Sequence, residues 1–201
     1  MGSEFLVFLR LGFEHIADLR GYDHILFIVA LCAGYELKHW RNVLILVTAF
    51  TVGHSITLAL ATLRIIAIND ALVEFLIPLT IFLTSVMNVV VSSPEEARMV
   101  EKKRTRVLQY GLALGFGLVH GMGFSNFLRA ILGAEEGIAL PLFAFNVGLE
   151  LGQICIVIAV LIVTYLLVRF ARMRRHDWIL VLSGATAGVA LMLMAERLSG
   201  G

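Results

Sequence analysis

Charged residues are scarce in this chain of 201 residues: Asp, Glu, Lys and Arg make up 15% of it, and 59% is hydrophobic. The mean hydropathy is +0.91, far above that of a soluble globular domain. The sequence therefore predicts an integral membrane protein that has the lipid bilayer as its main partner. The formal net charge is only +1, and the chain has no basic tail, so nothing in it favours nucleic acid as a partner.

Cysteine is also scarce, with two residues, Cys32 and Cys155, each inside an apolar run. Free thiols in such runs usually pack as small hydrophobic groups, so we assign neither cysteine to a site and infer no redox compartment. Residues 1–5, MGSEF, are typical of a cloning remnant that could have replaced a native signal peptide. Residues 6–201 are expected to form one membrane domain.

Long apolar segments predict an all-α fold with about six transmembrane helices, since a helix needs about 20 mainly apolar residues to cross the bilayer. An earlier stretch, FLVFLRLGF, is interrupted by Arg10 and followed by further charges, and it predicts an interfacial or re-entrant helix that ends before Gly21. The six segments are Tyr22–Leu37, Val43–Leu63, Leu72–Val91, Val107–Leu128, Leu140–Phe170 and Trp178–Ala195.

The distribution of basic residues predicts the orientation. Eleven of the 16 Lys and Arg residues follow the first, third and fifth segments, which places those loops in the cytoplasm and both termini outside. With this orientation, seven polar residues of the apolar segments fall in one layer, in the outer half of the bilayer. They are Asp23, His24, His54, Glu74, His120, Asn146 and Glu150.

Charge is costly at membrane depth, so this layer predicts a metal site built from all seven residues. Each residue also has a simpler interpretation: Asp23 could be a helix-entry acid favoured by the helix dipole, and His54 could hydrogen-bond across helices. Glu74 lies near enough to the interface to be solvated. Imidazole and carboxylate without thiolate suit Ni²⁺, Co²⁺ or Zn²⁺ better than Cu⁺. His15 is not assigned to the predicted site, because a helix break is expected between it and Asp23 and the sequence does not fix its position.

Glycines predict close helix packing. Four pairs have the small-xxx-small spacing that lets helix backbones approach each other. They are Gly111 with Gly115, Gly117 with Gly121, Gly148 with Gly152, and Gly184 with Gly188.

Four stretches carry a family resemblance: GFEHIADLRGYDHILF at residues 12–27, TAFTVGHSITLALATL at 48–63, FGLVHGMGF at 116–124 and FNVGLELGQ at 145–153. The chain resembles the HupE/UreJ family, membrane proteins associated with hydrogenase and urease maturation and described as nickel or cobalt permeases. One departure is that seven residues separate His15 from Asp23, where the family pattern has a histidine five residues ahead of the Asp-His pair. The resemblance implies a multi-pass protein of the bacterial inner membrane that handles a divalent transition metal.

Three functions follow as hypotheses. The first is a nickel/cobalt-type metal permease, in which the ion enters from outside past Asp23 and His24. The second is an intramembrane zinc-type hydrolase, with Glu150 or Glu74 as the base that activates water. The third is a structural accessory subunit whose polar layer specifies helix packing. A homo-oligomer is compatible with all three.

Overall fold

Helices account for all the regular structure in the described residues of the computed structural model, which are 2–66, 69–92, 103–132 and 137–199. A short 3-10 turn, Leu37–His39, precedes α3. The α-helices are α1 Gly2–Ile16, α2 Asp23–Cys32, α3 Trp40–Thr62, α4 Asp70–Val91, α5 Lys103–Gly123, α6 Ser125–Leu132, α7 Ala139–Arg169 and α8 Arg175–Leu198.

Four helices are long and apolar enough to cross a membrane, namely α3 (with the preceding 3-10 turn), α4, α7 and α8. Their ends lie within three residues of the predicted segments. The predicted fourth segment is interrupted, because α5 ends at Gly123 and α6 begins at Ser125, whose hydroxyl donates to the Met122 carbonyl oxygen at 3.0 Å. At 31 residues α7 is about 46 Å long, the longest helix among the described residues.

Glycines hold two pairs of parallel helices in backbone contact. A Cβ atom on Gly53 of α3 would collide with the Leu114 backbone of α5, and one on Gly117 would collide with the Phe50 backbone. The α1–α7 pair is built in the same way, with Gly12 against the backbone of Phe145 and Gly148 against that of Leu9. Other glycines of the predicted pairs, Gly111, Gly115, Gly184 and Gly188, face no atom of the described residues within 4 Å, so only half of those pairs make close contacts.

The α1 and α2 helices run in the same direction, with residues 17–22 between them. α1 is parallel to α7, and α7 ends at the connection to the start of α8. α2 also ends beside the start of α8, where Arg175 donates to the Gly34 carbonyl oxygen at 2.7 Å. With 15 and 10 residues, α1 and α2 are about 22 and 15 Å long, each shorter than the hydrocarbon core. Together they form an interrupted helix, and α1 packs against α7 instead of lying alone.

A charged cluster closes the end of the molecule where α8 begins. Glu36 accepts from Lys38 and from Arg175, each at 3.0 Å. Partial burial raises the pKa of the Glu36 carboxyl, but the hydrogen bond from Lys38 and the charge of Arg175 outweigh this effect, so the pKa lies below its usual value. A second ion pair lies at the other end of the molecule. There the start of α4 meets the end of the antiparallel α8, and Glu74 and Arg197 are 3.1 Å apart.

Candidate metal centre

Three imidazoles meet where α1, α2 and α3 approach each other. His15 lies in the last turn of α1, His24 in the first turn of α2 and His54 in the middle of α3. One ring nitrogen from each can be chosen so that all three lie within 4.8 Å of one another. Ring centroids are 4.6 Å apart for His15 and His24, and 6.1 Å apart for His24 and His54. The break at residues 17–22 makes this possible, because it lets His15 and His24 face each other from two helices.

His24 and His54 are buried and His15 is half-buried, and each has at least one buried ring nitrogen without a hydrogen-bond partner among the described residues. His54 has no exposed surface, and among the described residues neither of its ring nitrogens has a partner. The Nε2 atoms of His15 and His24 are also buried and unpaired. Buried polar atoms in native proteins are almost always paired, with protein, water or an ion. Unpaired nitrogens that converge on one point therefore fit a bound cation.

Asp23 orients His24. Its Oδ1 atom lies 3.2 Å from Nδ1 of the His24 ring and also accepts from the His24 backbone N–H at 3.0 Å. This contact leaves Nε2 as the unpaired ring nitrogen of His24. Metal-ligating histidines commonly have such a carboxylate on the second nitrogen, which fixes the tautomer and raises the basicity of the ligand.

His120 lies beside this group without joining it. Its ring centroid is 5.1 Å from that of His24, and its Nε2 atom is 2.9 Å from the Thr80 hydroxyl oxygen. The contacts of Gly53 and Gly121 between α3 and α5 bring His54 and His120 into the same layer. His120 keeps a buried, unpaired Nδ1 atom, so it could act as a further ligand after a small movement.

Two other predicted ligands, Glu150 and Glu74, are engaged with side chains outside the three-histidine group. Glu150 accepts from the Thr48 hydroxyl at 2.6 Å, and Glu74 pairs with Arg197. Asn146 has a buried Oδ1 atom without a partner among the described residues. None of the three belongs to the group of imidazoles that lie within ligand distance of one another, and neither does Cys32 or Cys155.

His15 is the site residue that the sequence reasoning missed. The expected helix break is present, and the position of His15, which the sequence left open, is now defined: the chain returns within seven residues and brings the His15 ring to 4.6 Å from that of His24. The signal that could have identified it is the family pattern itself, which has a histidine a few residues ahead of the Asp-His pair.

A cavity of about 270 Å³ opens onto this layer, and we call it the histidine cavity. It is lined by the starts of α2 and α4 and by the ends of α5 and α8, and the imidazoles of His15, His24 and His120 all line it. Charged side chains also line it, namely Asp18, Asp23, Glu74, Arg20 and Arg197. The cavity therefore provides an approach from this end to the imidazoles of His15, His24 and His120.

The geometry is close to that of a transition-metal site. Nitrogens 2.0–2.1 Å from a tetrahedral ion lie about 3.4 Å apart, so the group would contract by no more than about 1.4 Å to hold one. Three imidazoles leave a tetrahedral ion with one position open to water or to another ligand. The arrangement can bind a borderline divalent cation and exchange its remaining water.

Comparison with known proteins agrees with the sequence motifs. Neither a curated protein nor a solved structure matches the chain. The family described as "HupE / UreJ protein" matches residues 1–197, which is nearly the whole chain and includes all the stretches that carry the resemblance. Together with the four membrane-length helices, this match shows that the protein is a membrane protein of the HupE/UreJ family.

Proposed function

We propose that this protein is a permease for a divalent transition metal of the nickel/cobalt type. The observation that carries the proposal is the group formed by His15, His24 and His54: one ring nitrogen from each lies within 4.8 Å of the others, and each residue has a buried nitrogen without a partner among the described residues. Such a group is expensive in an apolar helical protein unless a cation compensates it. Membership of the HupE/UreJ family, which is described in terms of nickel and cobalt permeation, supports the same cargo.

The cation enters through the histidine cavity. Three carboxylates line this cavity, and one of the two arginines there, Arg197, is already paired with Glu74. The remaining acids, Asp18 and Asp23, attract a hydrated cation toward the imidazoles. Water is then exchanged for His24, His15 and His54.

Release requires that binding be strong enough to strip water but weak enough to reverse. We propose that His120 serves as a relay ligand, since its Nδ1 atom is unpaired and Thr80 holds its other nitrogen. Asn146 is proposed as an auxiliary oxygen ligand, because its Oδ1 atom is buried and unpaired. Glu150 would contribute only after it leaves Thr48, and Glu74 acts at the entrance.

The test is elemental analysis of detergent-purified protein after incubation with Ni²⁺, Co²⁺ or Zn²⁺, combined with uptake by whole cells. Wild-type protein should hold about one equivalent of metal, as expected for a single three-imidazole site. His54→Ala should lose both the metal and the uptake. Ser183→Ala is the control: Ser183 is also buried with an unpaired side-chain oxygen, but it lies on α8, outside the site. Equal metal content in His54→Ala and wild type would refute the site.

The metalloenzyme remains the second candidate, because three imidazoles and an open position are also the ligand set of many catalytic zinc sites. Its proposed bases are engaged elsewhere, Glu150 with Thr48 and Glu74 with Arg197. An enzyme would retain zinc through dialysis and show hydrolytic turnover that His54→Ala abolishes, whereas a permease would exchange its ion and show uptake without turnover. Protein that stays free of metal but loses thermal stability in His54→Ala would favour the structural accessory role.

A further inference from the structure

A second, larger cavity occupies the opposite end of the helices. It measures about 840 Å³, and we call it the distal cavity. It is lined by the ends of α2 and α4 and by the starts of α3, α5 and α8. Its polar lining includes Tyr35, His39, Asn42, Asn88, Gln109 and His176. Since one water molecule takes up about 30 Å³ of liquid, this space can hold a divalent cation with a complete water shell.

Three phenylalanines lie between the two cavities, and we call Phe27, Phe50 and Phe116 the phenylalanine wall. Phe27 and Phe50 are each 1% exposed and stack with ring centroids 4.8 Å apart. On one side Phe116 lines the distal cavity, with its ring 6.1 Å from that of Phe27. On the other side the rings of Phe27 and Phe50 lie 5.2 and 5.1 Å from that of His120.

Helical spacing builds the same three layers on each of three helices. On α3, Leu46 lines the distal cavity, Phe50 belongs to the wall and His54 belongs to the imidazole group. These residues are four positions apart, so they form one stripe on one face. α5 repeats the order with Leu112, Phe116 and His120, and α2 repeats it in reverse with His24, Phe27 and Leu31.

The α4 helix packs Ile81 and Phe82 against the cluster that contains Phe27 and Phe50, and it also carries hydroxyl groups past the wall. Thr80 contacts His120, and the Thr84 hydroxyl donates to the Thr80 carbonyl oxygen at 2.8 Å. Thr84 lines the distal cavity, as does Asn88 one turn further on. A polar stripe therefore leads from the imidazole layer to the distal cavity along α4, directly past the apolar wall.

We propose that the phenylalanine wall is a gate and that the distal cavity is the release vestibule for the hydrated cation. Apolar constrictions block ions because water leaves them, and small side-chain movements rewet them. With the wall closed, the imidazoles communicate only with the histidine cavity. When the wall opens, the ion passes along Thr80 and Thr84 into the distal cavity. The cargo in this scheme rests on the proposed function, but the gate and the two separate cavities are testable without metal.

The test is thiol accessibility in a background with Cys32→Ala and Cys155→Ser, using a membrane-impermeant methanethiosulfonate reagent on right-side-out and inverted vesicles. Asn42→Cys reports on the distal cavity, Asp18→Cys on the histidine cavity and Thr80→Cys on the wall. Asn42→Cys and Asp18→Cys should react from opposite faces. Thr80→Cys should react slowly from the face that labels Asn42→Cys.

Adding Phe116→Ala should accelerate that reaction of Thr80→Cys by about tenfold, equivalent to lowering a barrier by about 1.4 kcal/mol. Phe145→Ala is the matched control, since Phe145 is fully buried beside His54 but lines neither cavity. If Phe116→Ala does not yield a monodisperse protein by size-exclusion chromatography, Phe116→Leu replaces it.

The proposal is overturned if Asn42→Cys and Asp18→Cys react from the same face, or if Thr80→Cys reacts at the same rate with the wall intact and with either Phe116 variant. Equal acceleration by Phe145→Ala would also overturn it, because the effect would then be general loosening. Elemental analysis could find the protein free of metal while the labelling is as expected. That result would support the gate and refute the metal permease.

Discussion

Asp23 determines which nitrogen of His24 is free. Because its carboxylate holds Nδ1 at 3.2 Å, Nε2 is the atom left to bind. Removing such an oriented carboxylate from a metal-ligating histidine typically weakens metal binding by about 10- to 100-fold. We therefore expect Asp23→Asn to weaken Ni²⁺ or Co²⁺ binding by about that factor, as measured by competitive titration with a chromophoric chelator, while the amount of folded protein is unchanged.

Asp18→Asn provides the control for this measurement. Asp18 lines the same cavity and carries the same charge, but its Oδ1 atom accepts from the Arg20 backbone N–H, at 2.8 Å, and not from a histidine of the described residues. It should change affinity much less than Asp23→Asn, and mainly at low ionic strength, since exposed charges are screened by salt. Equal effects of the two variants would mean that Asp23 acts through charge alone and does not orient His24.

Sequence reasoning could identify part of this site because ionisable residues in apolar helices are costly and therefore informative. His24, His54 and His120 were predicted from their depth, and the structure brings all three together. The depth of Glu150 in the membrane could not show that its carboxylate bonds to Thr48. The neighbour that a helical residue faces is defined only by the tertiary structure. The same limit concealed His15, since its position depends on how six loop residues turn back.

Glycine contacts set the spacing of the helices that carry the histidines. Gly53→Ala would drive a methyl group into the Leu114 backbone of α5, directly beside His54. Overpacking of this kind costs about 1–3 kcal/mol, because backbone cannot move aside as a side chain can. We expect Gly53→Ala to lower the temperature at which the detergent-solubilised protein loses its monodisperse peak, and to reduce metal content even in the fraction that stays folded.

Gly111→Ala tests whether the effect is local. Gly111 lies on α5, and a Cβ there would meet no atom of the described residues within 4 Å. Because alanine favours helix by up to about 1 kcal/mol over glycine, this variant should be as stable as wild type or more stable. A loss of stability as large as that of Gly53→Ala would show that the face of Gly111 is packed in the membrane.

The long helices were predictable because their apolar runs are continuous, and the structure shows α3, α4, α7 and α8 close to the expected positions. The end of α5 was not, because residues 107–128 read as one apolar segment. The break lies at Gly123 and at the Ser125 hydroxyl, which bonds to the Met122 carbonyl oxygen. A single glycine or serine does not reveal a helix break inside a stretch that is otherwise hydrophobic. Spacing also could not show which glycine pairs face another helix.

The interruption between α1 and α2 lies at the level of the imidazoles. α1 and α2 run in the same direction, and residues 17–22 between them line the histidine cavity together with the starts of α2 and α4. Interrupted helices in membrane proteins are tolerated where the irregular backbone lines a cavity, and they commonly supply binding sites near the membrane centre. The break thus serves two purposes: it positions two histidines opposite each other, and it opens a polar route to them.

The orientation of this molecule in the membrane decides whether the histidine cavity or the distal cavity receives the cation first. The excess of Lys and Arg in the loops after the first, third and fifth predicted segments predicts that the start of α8 faces the cytoplasm and the histidine cavity faces outside. Alkaline phosphatase, which folds to an active form only outside the cytoplasm, should therefore be active when fused after Ser199 and inactive when fused after Arg172. Immunoblots of both fusions control for expression. The reverse pattern of activities would show that the protein has the opposite orientation, with the distal cavity facing outward. The proposed direction of transport would then change from uptake to export.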